Sequence, residues 1–466
     1  MQSVLAKISV CRTHVLGGRK YQCEECDEIT TRYNSCGDRH CPRCSGGQRL
    51  DFNEKASRLL LPGVVYYQVV FTLPSELSEL ALANRHAMTD LLNDSAWQSL
   101  SKNIQSEQGY QPAGISVLHS WNQRLDAHWH VHLLVPGEGP LLDDATLLDD
   151  ATLLDDATLL DDATWKRAQA PPQSKNSDGY YLVDADRLRK SYRSRAIRKL
   201  RRLRLQGKLN FGGKFAYLQS DENWDAFIRQ LESTAWVAYI QPPPGPTSGA
   251  SEVVNYLTRY LTGGPISDHR ITAADAANVT FVAREGKQVG GQRQQIPITL
   301  SVEEFVRRWC LHIQPQQLTK TRYLGGWSNS CRAAYMARCR DQLRQLNPPS
   351  DAEPPEPLTS LVSCREHDPL VCCHCGSDRL ILLQETGKPS WREIFDSQSE
   401  RCPPWYAELK REGDRRFWDD LMGEGFNDWY LETVVECAKE PVSNSLPVQL
   451  YLPGISPRPD YHLKYF

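Results

Sequence analysis

An α+β fold with a metal-stapled N-terminal segment is expected from three features of the chain. Residues 1–55 are rich in Cys, Arg and Gly and hold too little apolar sequence to fold without a metal. Residues 64–73, VVYYQVVFTL, form a near-continuous apolar and β-branched run, the pattern of a buried strand. After Pro74 and Ser75 the spacing changes, and Leu77, Leu80, Leu82, Leu91 and Leu92 follow a helical period.

The remaining elements follow in order. Strands are expected at 115–118 and 130–135, the second closed by Pro136-Gly137-Glu138-Gly139. LLDDAT then occurs four times in tandem over 141–164 and reads as an acidic loop insertion. A calcium loop fits it poorly, because the Asp pairs lack the glycine and spacing of an EF-hand. Residues 187–208 carry 11 basic residues in 22, with Leu188, Tyr192, Ile197, Leu200 and Leu203 as a partial apolar stripe. This predicts a basic amphipathic helix facing phosphate, with Arg195, Arg198, Lys199, Arg201, Arg202 and Arg204 as its contacts. A helix around 224–236, a loop at 241–249 and a helix from near Ser251 to Gly263-Gly264-Pro265 follow. The Pro-rich stretch at 348–357 is the clearest boundary. Three units are therefore expected: 1–55, 56–345 and an acidic, Trp-rich 346–466.

The net charge of −3 excludes a uniformly basic nucleic-acid coat but conceals an uneven distribution. Residues 351–466 carry 12 basic against 21 acidic residues, and the first 350 carry 42 against 36. The absence of an 18-residue apolar run argues against a membrane span, and MQSVLAKISVCRTH lacks a secretory core. The 15 cysteines cluster as CxxC pairs, which favours metal-bound thiolates in a reducing cytoplasm over disulfides.

Three constellations carry chemistry. Cys23-x2-Cys26 and Cys41-x2-Cys44 stand 14 residues apart, the spacing of a four-thiolate structural zinc site. Cys11, Cys36 and His40, with His14, are left over and could hold a second zinc. Cys364, His367 and the run Cys372-Cys373-His374-Cys375 suggest a further knuckle near the C-terminus. In the run 127–132, AHWHVH, strand alternation projects His128, His130 and His132 from one face, the pattern of imidazoles gripping a metal. His130 and His132 are the core pair. The third ligand is open among His128, which continues the alternation, His119 and Gln123. Tyr256 and Tyr260, at i and i+4 of the expected helix, share a face and could address one site. The chain contains no GxxxxGK[ST] loop, so no nucleotide cofactor is expected.

Taken together, these segments resemble the rolling-circle, HUH-type transposases of bacterial insertion sequences, the two-tyrosine group of the insertion-sequence ninety-one type. The resemblance runs over residues 11 to about 345, through CRTHVLGG, YQCEEC, CGDRHCPRC, FTLP, SWNQRLDAHWHVHLLVPG, WVAYIQPP, VVNYLTRYLTGGPIS and TKTRYLGGWSN. It implies a ferredoxin-like antiparallel sheet with flanking helices, and Mg²⁺ or Mn²⁺ at the histidines. It also implies Tyr256 and Tyr260 as nucleophiles that form a 5′-phosphotyrosine, with single-stranded DNA at element ends and targets as partner. Such a protein would be cytoplasmic and associated with the nucleoid when bound to DNA. Three features depart from the group: the LLDDAT array beside the histidine strand, Trp129 where proline is expected, and the long acidic C-terminal region. A plasmid replication initiator or relaxase, or a non-catalytic zinc-dependent DNA-binding protein, are the alternative readings.

Overall fold

The computed structural model describes residues 2–44, 52, 54–142, 164–171, 181–241, 264–267, 270–289, 292–346 and 371–411, without the side chains of 285–289, 292–293 and 408–411. Most of the LLDDAT array, the 241–249 loop beyond Gln241, Tyr256, Tyr260, Cys364 and His367 lie outside the described residues.

The central sheet has five antiparallel strands, in the spatial order β12 (Thr321–Gly325), β4 (Ala113–Trp121), β5 (Ala127–Pro136), β3 (Tyr66–Thr72) and β8 (Val237–Gln241). In β3, YYQVVFT is buried along almost its whole length, as its β-branched and aromatic content predicts. The expected long helix after Pro74 is broken in two, α2 (Ser75–Ala83) and α3 (Arg85–Gln108). Asn84 causes the break. Its side-chain amide donates to the carbonyls of Leu80 and Asn210, and its Oδ1 accepts from Asn210 N–H, so it bonds across the chain instead of continuing the helix.

Helix α4 (Ala185–Leu205) corresponds to the basic segment. Asp184 caps it by accepting from Arg187 N–H, and Leu188, Tyr192, Ala196, Ile197, Leu200 and Leu203 are buried. Tyr192 meets Phe71 of β3 edge-on, with ring centroids 4.9 Å apart. Helix α5 (Asp221–Ser233) follows, capped by Ser220. Helices α2 to α5 cover one face of the sheet. The main core lies between them and the residues Val69, Phe71, Leu118, Trp129, Val131, Leu133 and Val135.

The opposite face is covered at one end by Trp327, Tyr335, Met336 and residues 56–64, packed on Ile115, Val117 and Leu134. A second sheet joins β9 (Ile271–Ala274), β10 (Asn278–Val289) and β11 (Gln292–Ser301), and β6 (Glu138–Pro140) pairs with β7 (Trp165–Arg167). The third sheet departs from the expected three units. β1 (Gly18–Cys23) lies between β2 (Ile29–Tyr33) and β13 (Leu380–Thr386), so a segment expected in the C-terminal region completes the N-terminal module.

Candidate metal and DNA-processing site

The β4–β5 hairpin positions the histidines. Asn122 holds its turn, with Oδ1 accepting from the backbone N–H of Arg124 at 2.8 Å and of Asp126 at 2.9 Å. Leu125 adopts the left-handed conformation, φ 65°, within that turn. The resulting register sets His119 opposite His130 and Val117 opposite His132. Because alternate side chains take opposite faces, Trp129, Val131 and Leu133 enter the helix-covered core. His119, His130 and His132 share the other face, and their ligating nitrogens all lie within 4.8 Å of one another. Ring centroids are 5.2 Å apart for His119–His130, 4.7 Å for His119–His132 and 4.9 Å for His130–His132.

The third imidazole is therefore His119, in place of His128, which the strand alternation alone had favoured. His128 is buried beside His130, with centroids 5.0 Å apart, but stands outside the group. Cross-strand pairing sets His119 directly against His130, with its ring centroid 4.7 Å from that of His132, whereas His128 is four strand residues, about 13 Å, from His132. Gln123 is at the exposed hairpin tip, where its carbonyl accepts from Arg270.

Two contacts fix the imidazole tautomers. His130 Nδ1 lies 3.0 Å from the His128 carbonyl, so Nδ1 carries the proton and Nε2 keeps its lone pair. His132 Nδ1 lies 2.6 Å from the side-chain amide nitrogen of Gln68 on β3, while Gln68 Oε1 is buried without a hydrogen-bond partner among the described residues. Turning that amide over sets Oε1 against an Nδ1–H and leaves the lone pair on His132 Nε2. Burial holds His130 well below the usual imidazole range and, with the charge of Lys320, pushes His132 down to about 4. Neutral imidazoles result, the form that binds metal. The three imidazole nitrogens could hold a divalent ion that keeps open positions, and imidazoles alone do not select which metal.

The cysteines form two quartets, Cys11–Cys36–Cys41–Cys44 and Cys23–Cys26–Cys372–Cys375. The single site expected from Cys23, Cys26, Cys41 and Cys44 is thus divided. The reason is the β1–β2 hairpin. Cys23 and Cys26 sit at its turn, Cys11 and Cys36 flank its open end, and a six-residue strand of about 20 Å separates the two. Cys11 and Cys36 stand in a group that could hold a metal ion, whereas His40 does not. Its Nδ1 bonds Asp38 at 2.9 Å and its Nε2 accepts from Gln314 N–H at 3.0 Å. Arg39 donates to the carbonyls of Leu318 and Pro315 at 2.9 and 2.8 Å. These two residues fasten the cysteine module to segment 314–318. Gln314 in turn donates to Ser120, next to His119.

The basic face of α4 is partly engaged. Lys199 pairs with Asp94, Arg201 with Glu232 at 3.2 Å and Arg204 with Asp221 at 2.7 Å. Arg195 is half-buried beside Ser191, and Arg198 and Arg202 are exposed. The helix also lies on the sheet face opposite the histidines. Sequence reasoning missed Gln68 altogether, because nothing in β3 alone shows which residue lies beside His132.

Comparison with known proteins gives first the class. Residues 157–334 match a family model described as "Putative transposase", and residues 1–73 match "Transposase zinc-binding domain", as found in the insertion-sequence ninety-one (IS91) group. The class is that of a transposase, a DNA-processing enzyme whose substrate is DNA. The chain is similar to "Putative transposase y4qJ" of Sinorhizobium fredii, 30% identical over 357 residues, which cover 76% of this chain and 81% of the relative. It is also similar to "Transposase for insertion sequence element IS801" of Pseudomonas savastanoi pv. phaseolicola, 23% identical over 380 residues, covering 80% and 81%. The chain belongs to the two-tyrosine transposase family of the IS91 type. No solved structure matches it significantly. The matched domain and the cysteine quartets support structural zinc. Among the described residues no helix is long and apolar enough to cross a membrane.

Proposed function

We propose that the chain is a rolling-circle transposase of HUH type, which nicks and rejoins single-stranded DNA at element ends. The observation that carries this reading is the His119–His130–His132 group on two adjacent strands, with its tautomers set by the His128 carbonyl and Gln68. The strand succession supports it as well. β3, β4, β5 and β8 appear in the sheet as β4-β5-β3-β8, all antiparallel, with α2 and α3 between the first two and α4 and α5 before the last. That is the order of a ferredoxin-like βαββαβ sheet.

Tyr256 or Tyr260 supplies the nucleophile. Its phenolate oxygen attacks the scissile phosphorus, the P–O3′ bond breaks, and the 3′ oxygen leaves and takes up a proton. The phosphodiester energy is kept in the 5′-phosphotyrosine, so a second transesterification rejoins ends without a nucleotide. A divalent ion held by His119, His130 and His132 supplies, when bound, Lewis-acid polarisation of the phosphate. Gln68 and the His128 carbonyl keep the imidazole lone pairs directed at that place. Both tyrosines lie outside the described residues, but the chain reappears at Gly264 beside the His40 carbonyl.

Incubation with end-labelled single-stranded oligonucleotides and Mn²⁺ tests this reading. A covalent adduct is expected, lost in the double variant Tyr256→Phe, Tyr260→Phe. An adduct that persists in that variant refutes the nucleophile assignment.

A further inference from the structure

We propose that Cys23, Cys26, Cys372 and Cys375 bind a zinc ion of their own and close a zinc ribbon from segments some 350 residues apart. The matched zinc-binding domain ends at residue 73, so it contains only half of these ligands and the whole of the Cys11–Cys36–Cys41–Cys44 group.

The two halves have the same backbone geometry. In the first knuckle, Asp27 follows the second cysteine at φ 57° and its N–H returns to the Cys23 carbonyl at 3.0 Å. In the second, Gly376 occupies the equivalent place at φ 76°, its N–H returning to the Cys372 carbonyl at 3.0 Å. The next bond repeats too. Cys23 N–H donates to the Glu28 carbonyl at 3.0 Å, and Cys372 N–H to the Ser377 carbonyl at 2.8 Å. Each turn aims two sulfurs the same way, and the left-handed residue is what lets the chain reverse around them.

The sulfurs are spaced for a metal. Cys23 Sγ lies 3.5 Å from Cys375 Sγ, and Cys26 Sγ lies 3.6 Å from Cys372 Sγ. A disulfide needs about 2.05 Å. A tetrahedral site with Zn–S of about 2.3 Å has sulfur–sulfur edges of about 3.8 Å. The neighbouring Cys373 and His374 are exposed and do not enter the quartet.

The strands complete the ribbon. β13 pairs antiparallel with β1 from Gly18↔Thr386 to Cys23↔Leu380, so the register delivers both knuckles to the same end of the sheet. Arg19 meets Glu385 at 2.6 Å and Arg379 meets Glu25 at 3.0 Å across the same seam. β13 is largely exposed and adds little apolar burial, so the metal would reinforce a strand ladder that has little core of its own.

Differential alkylation of the full chain, purified without chelator and mapped by peptide mass spectrometry, tests the site. Cys375 is exposed by area, as are Cys373 and Cys331. With zinc bound, Cys375 should label at least tenfold more slowly than Cys373, and should match it after chelation. Cys375 labelling as fast as Cys373 in the zinc-loaded chain overturns the proposal. Zinc counting provides the second measurement. The double variant Cys372→Ser, Cys375→Ser should hold one zinc fewer than the parent, while Cys373→Ser should hold the same number. An unchanged count in the double variant overturns the proposal.

Discussion

Replacing Gln68 separates the metal-site reading from ordinary packing. Gln68 sits on β3, buried, with its side-chain amide 2.6 Å from His132 Nδ1 and one of its two polar atoms partnered among the described residues. In Gln68→Leu nothing holds the His132 tautomer. Loss of such an outer contact weakens metal binding by about 10- to 100-fold, or roughly 1.4–2.7 kcal/mol. Folding stability should change little or rise, because the substitution also removes a buried amide that is only half satisfied. Gln68→Glu keeps an oxygen acceptor for Nδ1–H and should retain affinity within a few-fold. Mn²⁺ titration followed by electron paramagnetic resonance reads the affinity, and thermal unfolding of the metal-free chain reads stability. Unchanged Mn²⁺ affinity in Gln68→Leu would refute the argument. So would a loss of affinity that follows a matching loss of stability.

Three other outcomes follow from the packing and charges. Trp129 is fully buried, so Trp129→Ala should cost about 3–5 kcal/mol in chemical denaturation. Trp129→Phe should cost far less, because the indole N–H has no partner among the described residues. Arg39→Ala removes the guanidinium bonds to segment 314–318 and should cost about 2–3 kcal/mol, visible as faster proteolysis between the cysteine module and the sheet. Arg198→Ala with Arg202→Ala should lower the salt dependence of single-strand binding by about 1.4 in slope if both meet phosphate. Lys199→Ala, which breaks the Asp94 pair, should leave that slope unchanged.

What could be read from the sequence was local. The apolar run at 64–73, the alternation at 127–132 and the stripe along α4 each depend on neighbours a few residues away, and each matches an element of the fold. Two imidazoles of the candidate site were visible by that alternation alone. The third was not, because choosing His119 over His128 requires the β4–β5 register, which is set by Asn122 in the turn. The break at Asn84 depends on Asn210, 126 residues later. The cysteine grouping failed for the same reason. Spacing counts residues along the chain, whereas β1 carries one knuckle away from the other and toward a partner 346 residues on. The basic segment was identified correctly as a helix, but the carboxylates that engage Lys199, Arg201 and Arg204 come from α3, α5 and their surroundings.

The central claim is that His119, His130 and His132 act as one group in DNA cleavage. Its most direct test is the yield of covalent protein–DNA adduct with Mn²⁺ in parallel His119→Ala, His130→Ala and His128→Ala variants, each checked by circular dichroism. Adduct should fall at least 100-fold in His119→Ala and in His130→Ala, and stay within about tenfold of the parent in His128→Ala. Full adduct yield from a folded His119→Ala chain, together with none from His128→Ala, would contradict the account.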